Sequence, residues 1–371
     1  MDFATKYRPT SLNQLIGQDT TVAIMRSTLA QKDLGPVTLL CGPRSAGKTT
    51  IARLMGLYAN CINLDSATGE PCGICPSCRQ MLRAIHGEGE HPDFLEKNAA
   101  SDRGIDMIRS LETIARYAPR YNWRFILLDE VHALTSQAFQ AGLKLFEEPP
   151  GKTRFIFCTT EPEQLPPTIM SRCTVFNLEA IPALAVAKLL HRVAKQEGQT
   201  IPKEALLSIA EATHGHPREA LKILQQTIAA GNGTFDPARL PQILEQSDVL
   251  APYIAIQKWM RAVLEGKFGN ALYAIHKAPS AEYFASGAID TVRQMLHVWL
   301  AKEHLADPNK MWLLRDVPIP SAEQGLPKLN MWADVLDILL DTQAKVKQYH
   351  NDPVALLEVA TLRIVNLVKT S

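Results

Sequence analysis

Residues 37–50 read VTLLCGPRSAGKTT, and their pattern predicts the class of fold. The first five residues form a short apolar run that suits a buried parallel strand. Residues 42–50 fit the phosphate-loop pattern G-x-x-x-x-G-K-[ST], and the following IARLMGLYA predicts a helix. A strand, a glycine-rich loop and a helix in this order predict a true phosphate loop, because the loop N–H groups and the helix N-terminus together hold an anion.

Two side chains of this loop have a predicted chemical role. Lys48 would reach the β- and γ-phosphates of a nucleotide, and Thr49 would ligate Mg²⁺. The loop residues expected around the nucleotide are Arg44, Ser45, Ala46, Gly47, Lys48, Thr49 and Thr50. A chance glycine-rich turn is the alternative interpretation, and the predicted strand and helix on either side disfavour it.

A second apolar run, FILLDEVHAL at residues 125–134, ends in two carboxylates. Asp129 would hold Mg²⁺ directly or through water, and Glu130 would polarise the water that attacks the γ-phosphate. An apolar run ending in Asp-Glu is a weak signal alone, since it is often a solvated strand end. About eighty residues after a phosphate loop, it predicts the catalytic edge of a parallel sheet.

Three further stretches carry polar residues at predicted element ends. RFIFCTTEP supplies another strand that ends in Thr159 and Thr160, where a hydroxyl would orient water or cap the next turn. TIMSRC contains Arg172, which has no predicted role from the residues alone. In THGHPREALKIL, Pro217 suits a first helical turn, which leaves Arg218 near that helix N-terminus.

Four of the seven cysteines lie within residues 61–78, CINLDSATGEPCGICPSC. A catalytic redox pair and a structural metal site both explain such clustering. A redox site needs one exposed CxxC pair of low pKa, whereas this segment has two overlapping CxxC steps. Four thiolates would hold Zn²⁺ tetrahedrally and leave no open position for catalysis.

Length and composition limit the classes of protein. A chain of 371 residues predicts two or three domains, and 46% hydrophobic with 21% charged residues is ordinary for a soluble protein. The N-terminus lacks an apolar signal region and no run reaches about 18 apolar residues, so a cytoplasmic protein without a membrane span is expected. A formal net charge of +1 disfavours a free-standing, non-specific DNA binder.

The C-terminal half is predicted to be helical from about Leu178 onward. The expected domains are an α/β core at 1–178, a small helical domain at 179–243 and longer amphipathic helices at 244–371. The residues expected on apolar faces of the last region are Trp259, Trp299, Trp312, Trp332, Val335, Leu336, Leu339 and Leu340. Asp352 and Pro353 predict the start of the final helix. Such faces fit a self-contained bundle or an oligomerisation surface.

Taken together, the motifs resemble the AAA+ ATPases and, within them, the gamma/tau subunits of bacterial DNA polymerase III in their short, gamma-like form. The stretches that carry the resemblance are KYRP, IGQ, GPRSAGKTT, the four cysteines, LLDEVHAL, LKLFEEPP, TTEPEQLPPTIMSRC and GHPREALKIL. The resemblance is dense over residues 5–230 and concerns architecture alone beyond about 245. It implies an AAA+ core with a parallel sheet and a zinc-module insertion, followed by a helical lid and an all-α collar.

The resemblance assigns roles to particular residues. It implies an adenine pocket formed by Tyr7, Arg8, Pro9, Ile16, Gly17 and Gln18. Arg172 would be an arginine finger inserted into the neighbouring subunit's ATP site, Thr160 the first sensor, and Arg218, with Pro217 beside it, the second sensor in cis. The zinc ligands would be Cys61, Cys72, Cys75 and Cys78. His86 and His91 are then expected to be ordinary surface histidines.

The implied function is an ATP-hydrolysing motor that opens a sliding clamp and closes it on primer–template DNA. Its cofactors would be ATP, Mg²⁺ and Zn²⁺, and its partners the other subunits of a ring-like, pentameric loader. Arg103 and Lys144 are candidate DNA contacts. The alternatives are a non-hydrolysing stator of the same assembly, which the intact phosphate loop disfavours, and a branch-migration helicase, which the cysteine module disfavours.

Two positions depart from the family pattern in the helix that reads QAFQAGLKLFEEPP. Gln140 and Gly142 stand where the family usually has asparagine and leucine. Glycine inside a helix costs about 1 kcal/mol relative to alanine. A small residue at position 142 is therefore expected to allow the close approach of a neighbouring subunit or of DNA. The segment ASDRGIDMI, residues 100–108, also has fewer basic residues than its relatives.

Overall fold

Five parallel strands form one sheet in the order β2-β3-β4-β1-β5. The strands are β1 (Val37–Cys41), β2 (Phe94–Asn98), β3 (Arg124–Asp129), β4 (Thr153–Thr159) and β5 (Cys173–Asn177). The computed structural model describes residues 1–31, 35–65, 68–213, 215–245, 251–278, 280–299, 327–348 and 353–370. The predicted α/β core with a parallel sheet is confirmed.

Helices connect the strands and make up the described part of the chain after β5. They are α1 (Phe3–Lys6), α2 (Asp19–Gln31), α3 (Lys48–Ala59), α4 (Pro76–Ile85), α5 (Ile105–Ala115), α6 (Ser136–Glu147), α7 (Pro167–Met170), α8 (Ala183–Gln196), α9 (Lys203–Ala212), α10 (Pro217–Ala230), α11 (Leu240–Glu245), α12 (Ala251–Leu264), α13 (Phe268–His276), α14 (Ala281–Trp299), α15 (Pro327–Gln348) and α16 (Pro353–Thr370). Short 3₁₀ turns span Leu12–Gln14, Val131–Ala133, Pro162–Gln164 and Pro237–Arg239.

Strand β1 lies between β4 and β5 and leads into the phosphate loop. Val37 pairs with Phe155 of β4 on one side and with Cys173 of β5 on the other. All five residues of β1 are buried, because helices cover both faces of a parallel sheet. The carboxyl ends of parallel strands lie at one edge, so the loop after β1 and the ends of β3 and β4 meet there. Cys41 and Cys158 are buried at these strand ends, as expected of residues that fill core volume.

The described residues group into two compact units. The first contains residues 1–193 and 215–222, and the second contains the rest of the described chain. The first unit holds the sheet. The three-domain division expected from the sequence, with boundaries near 178 and 243, stays a prediction.

The second unit has its own apolar core among helices α12 to α16. Trp259 packs edge-on against Phe284 at 5.8 Å between ring centroids, and its indole N–H donates to Thr361 Oγ1 at 3.0 Å. Of the predicted apolar face, Trp332, Val335 and Leu339 are buried, Leu336 is half-buried and Leu340 is exposed. Trp312, Asp352 and the side chain of Trp299 lie outside the described residues. These helices therefore bury their apolar faces within the chain, and a collar role stays a prediction.

No helix in the described ranges combines the length and the apolar character that crossing a membrane requires.

Gly142 has an explanation within its own helix. The residue is buried in α6, and a Cβ there would clash with the ring of Phe146. That ring is held edge-on between Phe155 and Phe157, with centroid distances of 5.1 and 5.0 Å. The close approach expected at this position is thus made by Phe146 from the next helical turn, and the predicted neighbour or DNA is not needed to explain the glycine.

We expect Gly142→Ala to lower the free energy of unfolding by about 1 to 2 kcal/mol. Overpacking against the confined Phe146 ring costs more than the improved helix propensity returns. Urea unfolding of the purified chain measures the change. Gln140→Ala, at an exposed position of the same helix, is the control and should stay within about 0.5 kcal/mol. An unchanged or raised unfolding midpoint for Gly142→Ala would contradict this account.

Candidate nucleotide site and cysteine module

The predicted phosphate loop lies between β1 and α3. Gly42 has φ of +149°, and a Cβ there would lie 2.5 Å from the carbonyl oxygen of Leu178, so only glycine fits this start of the loop. Lys48, the first residue of α3, is buried, and its ammonium donates to the carbonyls of Gly42 at 2.8 Å and Pro43 at 3.0 Å. Burial lowers the pKa of Lys48. A buried cation held by two loop carbonyls is well placed to receive an anion.

Thr49 and Asp129 are brought together although they are 80 residues apart. The Thr49 hydroxyl donates to Asp129 Oδ2 at 2.9 Å, and the other carboxylate oxygen accepts the N–H of Glu130 at 3.0 Å. Mg²⁺ prefers a hydroxyl and a carboxylate oxygen together with phosphate oxygens and water. The donor set present at the end of β3 therefore fits the predicted Mg²⁺ site.

Glu130 has a strained backbone. Its φ of 51° and ψ of 45° place it in the left-handed region, which costs roughly 1 to 2 kcal/mol for a residue with a Cβ. Its Oε2 is buried and has no hydrogen-bond partner among the described residues, with His132 Nδ1 at 3.7 Å. Strain and an unsatisfied carboxylate oxygen occur together at functional sites.

His132 is a residue of this region that sequence analysis did not predict as part of the site. Its Nδ1 lies 2.9 Å from the hydroxyl of Thr159, and its Nε2 lies 3.6 Å from Glu161. Thr159 is fully buried and accepts the N–H of Glu161 at 3.0 Å, so it both caps the turn after β4 and contacts His132. Thr160, the expected first sensor, is half-buried beside it. A lone histidine after an acidic pair carries no sequence signal for this contact.

A cavity of about 260 Å³ in the first unit opens beside the phosphate loop. The predicted site residues that line it are Tyr7, Arg8, Pro9, Ile16, Arg44, Ser45, Ala46, Gly47, Lys48, Thr49, Thr50, Asp129, Glu130, Pro217 and Arg218. The lining residues that sequence analysis missed are Ala4, Gln14, Leu15, Ile181, Leu189 and Leu221. Most of these are apolar helix or turn residues, which no motif distinguishes from core residues.

Four of the residues predicted for the nucleotide site do not line this cavity: Gly17, Gln18, Thr160 and Arg172. Gln18 is buried and holds the segment after β5 to the loop. Its amide donates to the carbonyl of Glu179 at 2.7 Å and accepts that residue's N–H at 3.2 Å. A Cβ on Gly17 would lie 3.2 Å from Pro182, so this glycine also serves close packing beside the cavity.

Cations outnumber carboxylates around the cavity. Arg8, Arg44, Lys48 and Arg218 line it, against Asp129 and Glu130. Burial, together with the neighbouring Arg53 and Arg218, lowers the pKa of Arg8 to about 10. Four cationic side chains against two carboxylates give the cavity an excess of positive charge, which favours a polyanion.

Arg172 lies in the turn between α7 and β5. Its guanidinium donates to the carbonyl of Thr168 at 2.6 Å and to the carboxylate of Glu147 at 3.2 Å. The side chain is about one-third exposed, at 32%. It does not line the cavity of its own chain, and its side chain is partly exposed, although its Nε is buried without a hydrogen-bond partner among the described residues.

The four clustered cysteines converge on one point. The Sγ atoms of Cys61, Cys72, Cys75 and Cys78 all lie within 4.8 Å of one another. Backbone N–H groups donate to these sulfurs, from Cys72 to Cys61 at 3.3 Å and from Cys78 to Cys75 at 3.4 Å. Hydrogen bonds from the backbone of Cys75 and Ile74 lower the pKa of Cys72 to about 6, whereas burial raises the pKa of Cys61 and that of Cys78. Thiolates in such a cluster fit a tetrahedral Zn²⁺ site.

The expectation that His86 and His91 are ordinary surface histidines is wrong. His91 is 3% exposed, with Nε2 3.1 Å from the hydroxyl of Ser77 and Nδ1 accepting the N–H of Asp93 at 3.2 Å. Asp93 is also buried, and it accepts the N–H groups of Arg120 and Tyr121 at 2.8 and 2.7 Å. His86 is half-buried and donates from Nδ1 to the carbonyl of Thr5 at 3.0 Å.

Protonation of His91 is expected to destabilise the fold below about pH 6.5. Burial lowers the His91 pKa to about 4, so in this interval the unfolded chain binds more protons and stability falls as pH falls. The loss should approach about 1 kcal/mol per pH unit between pH 6 and 5. Urea unfolding of the wild type and of His91→Asn at both pH values isolates the effect. Equal pH slopes for the two chains would refute it.

The sheet order, with the phosphate loop after β1 and the helices after β5, confirms the predicted AAA+ P-loop fold class. The paired carboxylates at the end of β3 line the same cavity as the loop. Sequence comparison is more specific. Residues 17–182 match the family model described as DNA polymerase III, delta subunit. The chain is 36% identical over 293 residues to the DNA polymerase III subunit gamma/tau of Mycobacterium tuberculosis (strain ATCC 25618 / H37Rv), covering 78% of this chain and 50% of that protein.

Two other similar proteins are also DNA polymerase III subunits of the gamma or tau type. The DNA polymerase III subunit tau of Escherichia coli (strain K12) is 36% identical, covering 66% of this chain and 37% of the relative. The DNA polymerase III subunit gamma of Buchnera aphidicola is 34% identical, covering 62% of each. The resemblance to gamma/tau subunits is thereby confirmed, although the chain spans about half the length of the curated relatives it matches. Among solved structures, the RuvB Holliday junction branch migration motor of Thermotoga maritima aligns with a TM-score of 0.48 at 16% identity, covering 70% of this chain and 79% of that one.

Proposed function

We propose that this chain is the ATP-hydrolysing motor subunit of a sliding-clamp loader, which opens the clamp and places it on primer–template DNA. The observation that carries the proposal is the assembly of Lys48, Thr49, Asp129 and Glu130 around one cationic cavity. A motor needs these four groups together, whereas a subunit that only supports its neighbours does not.

The nucleotide would lie with its phosphates on the loop and its base against the N-terminal residues. Lys48 would exchange its two carbonyl partners for phosphate oxygens, which are stronger acceptors for an ammonium. Thr49 and Asp129 would hold Mg²⁺, which would supply positive charge to stabilise the phosphate groups. Tyr7, Pro9 and Ile16 provide the apolar surface for the base, as the resemblance implies.

Hydrolysis requires groups from two subunits in this proposal. Glu130 would accept a hydrogen bond from the attacking water through its buried, unpartnered oxygen. Arg172 would leave Glu147 and enter the neighbouring subunit's cavity, because it lies away from its own. Thr160 and Arg218 are the proposed first and second sensors, of which Arg218 lines the cavity.

The cysteine module has a structural role in this scheme. Four thiolates from Cys61, Cys72, Cys75 and Cys78 would complete the coordination of Zn²⁺ and leave no position for a reacting ligand. Zn²⁺ would therefore hold the segment between α3 and α4 together rather than take part in hydrolysis.

The proposed assembly is a ring-like, pentameric loader in the cytoplasm that engages a sliding clamp and primer–template DNA. A net charge of +1 implies that several subunits share the phosphate contacts. Arg103 and Lys144 remain candidate contacts, and Lys144 is exposed on α6. Helices α12 to α16 would supply the collar.

Two alternatives are weaker. A stator would not need the Thr49–Asp129 hydrogen bond or the strained Glu130, and both are present. A branch-migration helicase would not need the converging cysteines.

Clamp loading can be measured directly on primed circular DNA. The chain, its candidate loader partners and a labelled clamp are incubated with the DNA and separated by gel filtration. We expect clamp in the DNA fraction with ATP and none without nucleotide. Clamp transfer that is independent of ATP, or absent with all components present, would refute the proposal.

A further inference from the structure

One wall of the nucleotide cavity is built from the N-terminal segment, residues 3–16. Seven residues of this segment line the cavity: Ala4, Tyr7, Arg8, Pro9, Gln14, Leu15 and Ile16. The segment contains only the short helix α1 and one 3₁₀ turn, so it has little regular structure of its own. Its position must therefore be fixed by contacts with other elements.

The cysteine module, residues 61–78, makes the first of these contacts through Glu70, which lies two residues before Cys72. Glu70 Oε1 accepts from Arg26 at 2.9 Å and from Asn13 Nδ2 at 3.1 Å. Its Oε2 accepts from the Tyr58 hydroxyl, which itself accepts the N–H of Leu12 at 3.1 Å. One carboxylate thus joins the module to α2, to α3 and to the turn that precedes Leu15.

The end of helix α4 makes the second contact. Helix α4 begins within the module, with Cys75 as its N-cap residue and Cys78 in its first turn. At its other end, the carbonyl of Ile85 accepts from the Arg8 guanidinium at 2.8 Å, and His86 donates to the carbonyl of Thr5 at 3.0 Å. The module and the helix that begins in it therefore contact the N-terminal segment near both ends of that segment.

We propose that the cysteine module is a brace for the nucleotide site, in which Glu70 and His86 are positioning residues that couple metal binding by the four cysteines to nucleotide binding in the cavity. The inference rests on the proposed ATP site and adds a role for its neighbouring metal site.

The coupling has a physical basis, because the position of Glu70 depends on metal binding by the module. Between Cys61 and Cys75 the described residues form no helix or strand, and most side chains are exposed or half-buried. Such a segment cannot order itself by apolar burial, so metal binding must supply its folding free energy. When the metal leaves, Glu70 is no longer held against Asn13 and Arg26, and the N-terminal wall loses a support. Coupling of this kind is reciprocal, so nucleotide must also strengthen metal binding.

The first test uses the unmodified chain. The dissociation constant for a fluorescent ADP analogue is measured with Zn²⁺ bound and after its removal by a chelator, with circular dichroism recording whether the sheet persists. We expect binding to weaken by about 5-fold or more, the lower end of typical couplings. In the reciprocal titration, saturating ADP should raise the chelator concentration needed for half-removal of Zn²⁺ by the same factor.

Variants then distinguish the proposed positioning role of Glu70 from a general loss of stability. Glu70→Ala, with its Zn²⁺ content verified, is expected to raise KM for ATP about 5-fold with kcat nearly unchanged, because the wall shifts while Glu130 does not. Glu70→Gln, which keeps the shape and one acceptor, should lie between this variant and the wild type. Glu90→Ala removes an exposed carboxylate near the same module and serves as the matched control, with no change expected.

Three results would count against the brace. Nucleotide affinity that is unchanged after complete Zn²⁺ removal, or half-removal of Zn²⁺ that does not respond to ADP, would overturn it and leave the proposed ATPase function standing. Equal losses for Glu70→Ala and Glu90→Ala would also overturn it. Failure of the Zn²⁺-loaded chain to bind nucleotide at all would refute the proposed function as well.

Discussion

Replacing Glu130 with glutamine is expected to abolish ATP turnover while ATP binding is kept. One carboxylate oxygen of Glu130 is buried and has no hydrogen-bond partner among the described residues, and we propose that it polarises the attacking water. An amide has the same shape but is a much weaker base, so the rate should fall by about 10²- to 10⁴-fold. Steady-state phosphate release in the assembled loader gives the rate, and a fluorescent ATP analogue gives the affinity.

Glu148→Gln is the matched control for this prediction. It makes the same chemical change at an exposed position shortly after α6, within the same unit and outside the cavity lining. Its rate should equal that of the wild type. Retention of more than about half of the wild-type rate by Glu130→Gln would show that another group activates the water.

Replacing Arg172 with alanine is expected to reduce hydrolysis by about 10³-fold, as loss of an arginine finger does elsewhere. The reason is that Arg172 does not line the cavity of its own chain and is partly exposed, so we propose that it acts on a neighbouring subunit's site. Nucleotide affinity of the isolated chain should not change. Arg116→Ala, which removes an exposed arginine paired with Glu112, is the control and should be silent.

A mixing experiment separates action in trans from simple damage. Glu130→Gln leaves the finger intact and disables its own site, whereas Arg172→Ala leaves its own site intact. Loaders assembled from both variants in equal amounts should regain part of the wild-type rate wherever the Glu130→Gln chain is the finger donor. If the mixture is as inactive as either variant alone, Arg172 does not act across the interface.

Much of the site could be predicted because its residues are fixed by local patterns. The phosphate loop needs glycines, a lysine and a hydroxyl at set spacings, so residues 42–50 are recognisable without any tertiary information. The apolar runs that end in Asp129 and Thr159 likewise predict strand ends at one edge. The meeting of Thr49 with Asp129 then follows from the rule that parallel strands place their carboxyl ends together.

Contacts between distant segments could not be predicted. Gln18 shares its amide between Glu179 and the loop rather than lining the cavity. His91 is buried against Ser77, although nothing in its neighbourhood of the sequence indicates burial. Gly142 is explained by the ring of Phe146, whose orientation depends on two phenylalanines of β4. In each case the role of a polar or small residue depends on a contact with another residue that only the tertiary fold brings near.

Steady-state ATP hydrolysis by this chain, together with loader subunits from the same genome, distinguishes a clamp-loading motor from the alternatives. The rate is compared without additions, with sliding clamp, with primed DNA, and with both. The proposed clamp-loading motor predicts strong stimulation that requires clamp and primed DNA together, because in this proposal the closed assembly would align Glu130 with a neighbour's Arg172. A measurable rate that stays flat under all four conditions would contradict the account.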